Sequence, residues 1–102
     1  MSAEKLDRNE IEQKLKKISK EWRLSEDGQS INRTFEFDDF KNAFAFMTAV
    51  ALQAEDHSHH PDWHNVYNKV DITFSTHDAG GLTELDFEMA EFVDQVAAPF
   101  LK

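Results

Sequence analysis

Residues 66–87 read VYNKVDITFSTHDAGGLTELDF, and two periodicities meet inside them. Val66, Val70, Ile72 and Phe74 fall on one side of an extended chain. Tyr67, Lys69, Asp71, Thr73, Ser75 and His77 fall on the other, because successive side chains of a strand point to opposite faces. The first set is the core face, and His77 closes a strand on the opposite parity. Asn68-Lys69 marks either a turn, giving two strands, or a bulge in one long bent strand. Gly80-Gly81 reads as a flexible turn. Beyond it, Thr83 stands as a helix N-cap, Asp86 falls at the third helical position, and Leu82 and Phe87 have the spacing of a hydrophobic staple. Leu85, Met89, Phe92, Val93, Val96 and Phe100 continue as a helical stripe, and Pro99 ends or kinks its tail.

Upstream, Asp7 and Glu10 have capping-box spacing and Leu6 and Ile11 that of a staple. Ile11, Leu15 and Ile18 recur at helical intervals, which predicts a helix from about Arg8 to Lys20. EWRLSEDGQSINRTFEF, residues 21–37, reads as a hairpin turning at Asp27-Gly28, with a loop around Glu26 to Ser30 longer than two residues. Ile31, Phe35 and Phe37 keep a period of two, and Arg33 is the polar exception. Asp38 or Asp39 caps a second helix whose apolar face is Phe40, Ala43, Phe44, Met47, Val50, Ala51 and Ala54. Leu52 points off that face, either as a lone surface leucine or as part of an oligomer contact. That helix stops before Pro61, because the residue preceding proline is pushed out of the helical region. The order is α-β-β-α-β-β-α. The fold class is α+β: a single antiparallel sheet of about four strands with three helices packed on one face.

A chain of 102 residues is read as a single domain, residues 1–102. Its 40% hydrophobic content and nine phenylalanines supply one core. With no cysteine there is no disulfide, thiolate nucleophile or sulfur-liganded zinc site. The opening MSAEKLDRNEIEQ lacks the apolar run of a signal peptide, and nothing approaches the length of a membrane span, so the expected location is cytoplasmic or nuclear. The formal net charge of -9 argues against direct nucleic-acid binding; the basic residues Lys14, Lys16, Lys17 and Lys20 form only a small patch on the first helix.

Four of the five histidines lie in HSHHPDWH, residues 57–64, and the fifth is His77. Three readings follow from the residues. Zinc accepts histidines and carboxylates, and Glu55, Asp56 and Asp62 are near, but the spacing matches no helical ligand pair. A histidine-rich loop on an acidic protein is also commonly solvated and inert. Alternatively, imidazoles that titrate near neutrality, held by Pro61 beside the aromatic wall of Trp63, suit proton transfer to and from a flat substrate.

The segment from Glu55 to Asp86 resembles the pterin-4a-carbinolamine dehydratase family. The shared pattern is Glu55, His59-His60-Pro61-Asp62-Trp63, Tyr67-Asn68, Thr76-His77, Gly81-Leu82-Thr83 and Asp86. The combination is specific, whereas any one piece is weak. The resemblance implies dehydration of 4a-hydroxytetrahydropterin (4a-hydroxytetrahydrobiopterin) to quinonoid dihydropterin plus water, which recycles the pterin cofactor of aromatic amino acid hydroxylases. It implies that His59, His60, His77 and Asp86 are catalytic: His59 and His77 as general acids, His60 holding the pterin and assisting N5 deprotonation, and Asp86 orienting a histidine. Glu55, Pro61 and Trp63 would shape the substrate pocket. No metal and no cofactor is implied. Asp86 has a competing duty as the third residue of a capping box, and its two oxygens allow both. Ser58 stands where family members commonly carry Asn or Asp. His57 and His64 match no functional position. The implied partners are the pterin substrate and a homodimer or homotetramer, with an aromatic amino acid hydroxylase or a transcription factor beyond those. The alternative implied function is a dimerisation cofactor or transcriptional coactivator on the same scaffold.

Overall fold

The computed structural model describes residues 4–101. The elements run α1 (Arg8–Leu15), β1 (Arg23–Leu24), β2 (Ile31–Glu36), α2 (Phe40–Asp56), β3 (Asp62–Val66), β4 (Lys69–Phe74) and α3 (Glu84–Ala97), with a 3-10 turn at His77–Ala79. All four strands join one antiparallel sheet in the order β1-β2-β4-β3. The helices cover one face. Ile31, Phe35 and Phe37 from the β2 segment and Val70, Ile72 and Phe74 from β4 are fully buried beneath Ala43, Phe46, Val50 and Ala54 of α2 and Met89, Ala90 and Val93 of α3. The other face, with Asn32, Thr34, Asp71 and Thr73, is uncovered and cross-linked by polar side chains. Thr34 Oγ1 donates to Asp71 Oδ1 at 2.7 Å, and Asn32 Nδ2 donates to Thr73 Oγ1 at 2.9 Å.

Caps set most helix starts where the sequence places them. Asp7 and Glu10 close a reciprocal capping box at α1, and Asp39 rather than Asp38 caps α2, through Asn42 N at 2.9 Å. α1 is shorter than its periodicity suggests and ends at Leu15, not Lys20. The chain leaves the helix so that the Trp22 indole N–H can donate to both Asp94 oxygens, at 2.9 and 3.0 Å. Such a tertiary anchor outweighs helix propensities of a few tenths of a kcal/mol per residue. Arg33, the polar exception in β2, completes this knot. Its Nη1 donates to Asp94 Oδ1 at 2.8 Å, and its guanidinium lies 4.3 Å from the Phe35 ring centroid. Burial pushes the Asp94 carboxyl up, opposed by the Trp22 hydrogen bond and the charge of Arg33.

Asn68 belongs to a turn, not a bulge. Tyr67 adopts φ 50 and Val66 pairs with Lys69, so β3 and β4 form a hairpin. The hairpin reverses the parity expected for Val66, which is 60% exposed rather than core. On α2, Phe40 and Phe44 are exposed and Phe46 is buried instead. The apolar residues of α2 occupy a wider arc than the sheet can cover, and the rotation of the helix leaves one margin of it in solvent.

Candidate active site

The end of α2 aims the two adjacent histidines in different directions. His57 is the C-cap and Ser58 takes a left-handed conformation, φ 50. Ser58 N donates to Glu55 O at 3.1 Å and His59 N to Ala54 O at 3.0 Å. This pair of bonds is the Schellman termination, which usually has glycine or asparagine at the left-handed position. It turns the chain sharply, so His59 is buried with its ring stacked on Phe74, centroids 6.1 Å apart, while His60 stays exposed. His60 Nε2 meets Glu55 Oε1 at 2.9 Å, both side chains lying at the surface.

His77 is carried differently from the strand-end expectation. β4 stops at Phe74, and residues 76–81 form a closed loop. Thr76 N donates to Gly81 O at 2.9 Å, and Ala79 N and Gly80 N return to Thr76 O at 3.1 Å each. Gly80 has φ 78, a conformation other residues adopt at a cost. The glycine pair is therefore a pinned loop rather than a flexible one, and it presents His77 at its rim with the side chain exposed.

Behind these histidines lies a buried polar chain. Asp86 is fully buried and divides its carboxylate. Oδ1 meets His59 Nε2 at 2.5 Å. Oδ2 accepts from Thr83 N at 2.9 Å, completing the α3 capping box, and from Thr76 Oγ1 at 2.9 Å. Because Thr76 donates to Asp86, its oxygen accepts from Thr83 Oγ1, 2.8 Å away. Thr83 Oγ1 in turn accepts from Leu85 N at 3.3 Å. Every member has its partner, as a buried polar network requires. Capping and orientation are thus two duties of one side chain. Nε2 of His59 is engaged by Asp86, which leaves Nδ1 as the ring nitrogen without a hydrogen-bond partner among the described residues.

His59, His60 and His77 line one open cavity of about 250 Å3, together with Ser58, Ser75, Thr76 and Asp78. Asp86 touches that cavity through His59 and Glu55 through His60. Pro61 is half-buried and does not line it. Trp63 pairs with Ile72 and so faces the helices, where it packs against the core. The remaining histidines diverge. His57 Nδ1 lies 3.2 Å from Gln53 O on the outside of α2, and His64 pairs with Asp71 on the uncovered sheet face. Among the described residues, no three His, Cys, Asp or Glu side chains are grouped to hold a metal ion. Thr76 was the position to which sequence reading gave no role. The signal was present, since Thr76 continues the buried parity of Val70, Ile72 and Phe74 as a polar residue, and a buried hydroxyl needs a partner.

The sequence matches the family described as Pterin 4 alpha carbinolamine dehydratase over residues 4–96. Curated relatives named "Putative pterin-4-alpha-carbinolamine dehydratase" include one from Rhizobium meliloti (strain 1021), 57% identical over 95% of this chain and 92% of the relative. Another, from Sinorhizobium fredii (strain NBRC 101917 / NGR234), is 56% identical over 96% of this chain and 92% of its own length. Among solved structures, a transcriptional coactivator/pterin dehydratase from Brucella melitensis superposes with a TM-score of 0.88 at 41% identity, covering 91% of this chain and 98% of that one. A pterin dehydratase-like protein described as a RuBisCO assembly factor in the alpha-carboxysome gives a TM-score of 0.65 at 26% identity, covering 74% and 88%.

Proposed function

The chain belongs to the pterin 4 alpha carbinolamine dehydratase family, and from that premise we propose that it dehydrates 4a-hydroxytetrahydropterin to quinonoid dihydropterin and water by histidine general acid–base catalysis. The observation that carries the reading is the buried His59–Asp86 pair opening onto a cavity shared with His60 and His77. In the reaction the C4a–O bond breaks as the hydroxyl takes a proton and leaves as water. The N5–H bond gives up its proton and its electron pair forms the N5–C4a double bond. One proton is delivered and one removed, so no redox partner is needed. His59 and His77 are the acids in this reading, and His60, steadied by Glu55, holds the pterin and assists removal of the N5 proton. Pro61 and Trp63 support the cavity from behind, by fixing the chain after His60 and packing β3 onto the core. Positioned acid–base groups contribute about 10²–10⁴-fold. A cytoplasmic setting and pterin recycling belong to the same reading.

The test is turnover of chemically generated 4a-hydroxytetrahydropterin. Alanine at His59, His60 or His77 is expected to lower kcat/KM by about 10²-fold or more, whereas alanine at His57 or His64 leaves it within about twofold, since both face away from the cavity. Exhaustive chelation leaves turnover unchanged. Equal losses at His57 and His59, or activity lost to chelation and restored by zinc, would overturn the assignment.

A specific observation favours a second, protein-binding reading on the same scaffold. Phe40, Phe44, Ala51 and Leu52 make an exposed apolar band along α2, with the Phe40 and Phe44 rings 5.6 Å apart. β3 is an edge strand with an unpaired side. Both features support a homodimer or homotetramer, and the band gives a helix surface for a hydroxylase, a transcription factor or another protein partner.

A further inference from the structure

The loop that carries His77 is closed on itself. Thr76 N donates to Gly81 O, and the N–H groups of Ala79, Gly80 and Gly81 all return to Thr76 O. Such bonds fix the shape of the loop but not its tilt against the rest of the molecule. From His77 to Leu82, one hydrogen bond among the described residues leaves the loop: Leu6 N donates to Leu82 O at 2.8 Å.

The segment that makes this bond is itself anchored. Leu6 is 8% exposed and shares the core with Ile11 and the fully buried Leu82. Asp7, next along the chain, is locked into the capping box of α1. On the other side, Lys5 lays its stem over Gly81. A β-carbon built on that glycine would lie 3.0 Å from Lys5 Cε and 3.6 Å from Cδ and Cγ. The lysine is exposed, so its methylenes cover the loop while the ammonium stays in water.

The gripped peptide lies between two parts of the candidate site. Gly81 O holds Thr76 N, and Thr83 opens the polar chain through Thr76 and Asp86 to His59. Across the same loop, His77 reaches the cavity rim. The strap therefore acts at the joint where the His77 loop meets the frame that holds His59. A misplacement of about 1 Å from a distant change can cost about 10²-fold in rate.

We infer that Leu6, with the Lys5 stem beside it, is a positioning residue for the dehydration, a strap that sets the tilt of the His77 loop against His59. This rests on the dehydratase reading and extends the machinery to a segment about 70 residues from His77, a separation visible in the sequence.

The experiment combines steady-state kinetics per folded molecule with hydrogen exchange at the Thr76, Ala79 and Gly80 amides. Leu6→Ala is expected to lower kcat about tenfold with KM within about twofold, and to speed exchange at those amides by about tenfold or more through local opening. Leu6→Met refills the site and restores both. Lys5→Ala speeds loop exchange, whereas Lys5→Met does not, because the stem and not the charge covers Gly81. The control for stability alone is Phe37→Leu, a fully buried position beside the opposite end of β4. It lowers Tm but leaves kcat within about twofold and loop exchange unchanged, since the loop opens locally. Should Leu6→Ala unfold, the two exposed Lys5 variants decide by exchange. Unchanged loop exchange in both Leu6→Ala and Lys5→Ala, or an equal fall of kcat in Phe37→Leu, would overturn the strap and leave the dehydratase reading standing. A wild-type protein without turnover would overturn that reading and with it the catalytic role of the strap.

Discussion

Asp86 satisfies three donors with two oxygens, and this decides what its replacement does. In Asp86→Asn only one oxygen remains, and the amide NH2 must face either His59 Nε2 or the Thr83 N–H and Thr76 hydroxyl. At least one buried donor loses its acceptor, at a cost of about 1–3 kcal/mol. Turnover falls as well, by tenfold or more on the scale typical of groups that orient a functional side chain. Both losses are expected in one variant, in thermal unfolding and in kcat/KM, because capping and orientation meet in one carboxylate. The two can be separated at Thr76, which touches Asp86 but not His59. Thr76→Ser keeps the hydroxyl and should keep the wild-type pH–rate profile. Thr76→Val removes it and should lower kcat and displace that profile, with KM little changed. A profile identical in both variants would reduce Thr76 to packing. Sequence alone offered both duties for Asp86, because each depends on local spacing or motif. It gave none for Thr76, whose partners become neighbours only once the loop closes on Gly81.

Helix ends and helix rotation are where the elements depart from their patterns. α2 stops at Asp56, five residues before Pro61, because Ser58 takes the left-handed position. A residue with a β-carbon is strained there by about 1–2 kcal/mol, which asparagine partly escapes. Ser58→Asn is therefore expected to raise stability by a few tenths to about 1 kcal/mol, read as a higher Tm. α3 is bound to the sheet by Arg33 and Asp94, whose side chains are only 12% and 19% exposed. Asp94→Ala leaves that arginine charge without its partner and should cost about 3–5 kcal/mol in denaturant unfolding. A loss below about 1 kcal/mol would mean that water already screens the pair. Arg33 was legible only as an exception, since its partner lies 61 residues away.

For the whole molecule, the exposed band on α2 and the free edge of β3 bear on assembly. At micromolar concentration, sedimentation equilibrium is expected to give a dimer or larger, and Phe44→Lys should shift it toward smaller species if the band is an interface between copies. A monomer at all concentrations would leave the band to a different partner. The strand parity of Val70 to Phe74, the caps at Asp7 and Thr83 and the α-β-β-α-β-β-α order were legible in the sequence because each is set by side chains within a few residues. The family followed from a motif spread over Glu55 to Asp86. The short α1, the exposure of Phe40, Phe44 and Val66, and the meeting of His59, His60 and His77 in one cavity were decided only by the tertiary structure. A periodic pattern states that a face is apolar, not how much of it a neighbour covers. Residues 17 positions apart, such as His60 and His77, come together only because the β3–β4 hairpin returns the chain to the end of α2 and the Thr76–Gly81 bridge holds it there.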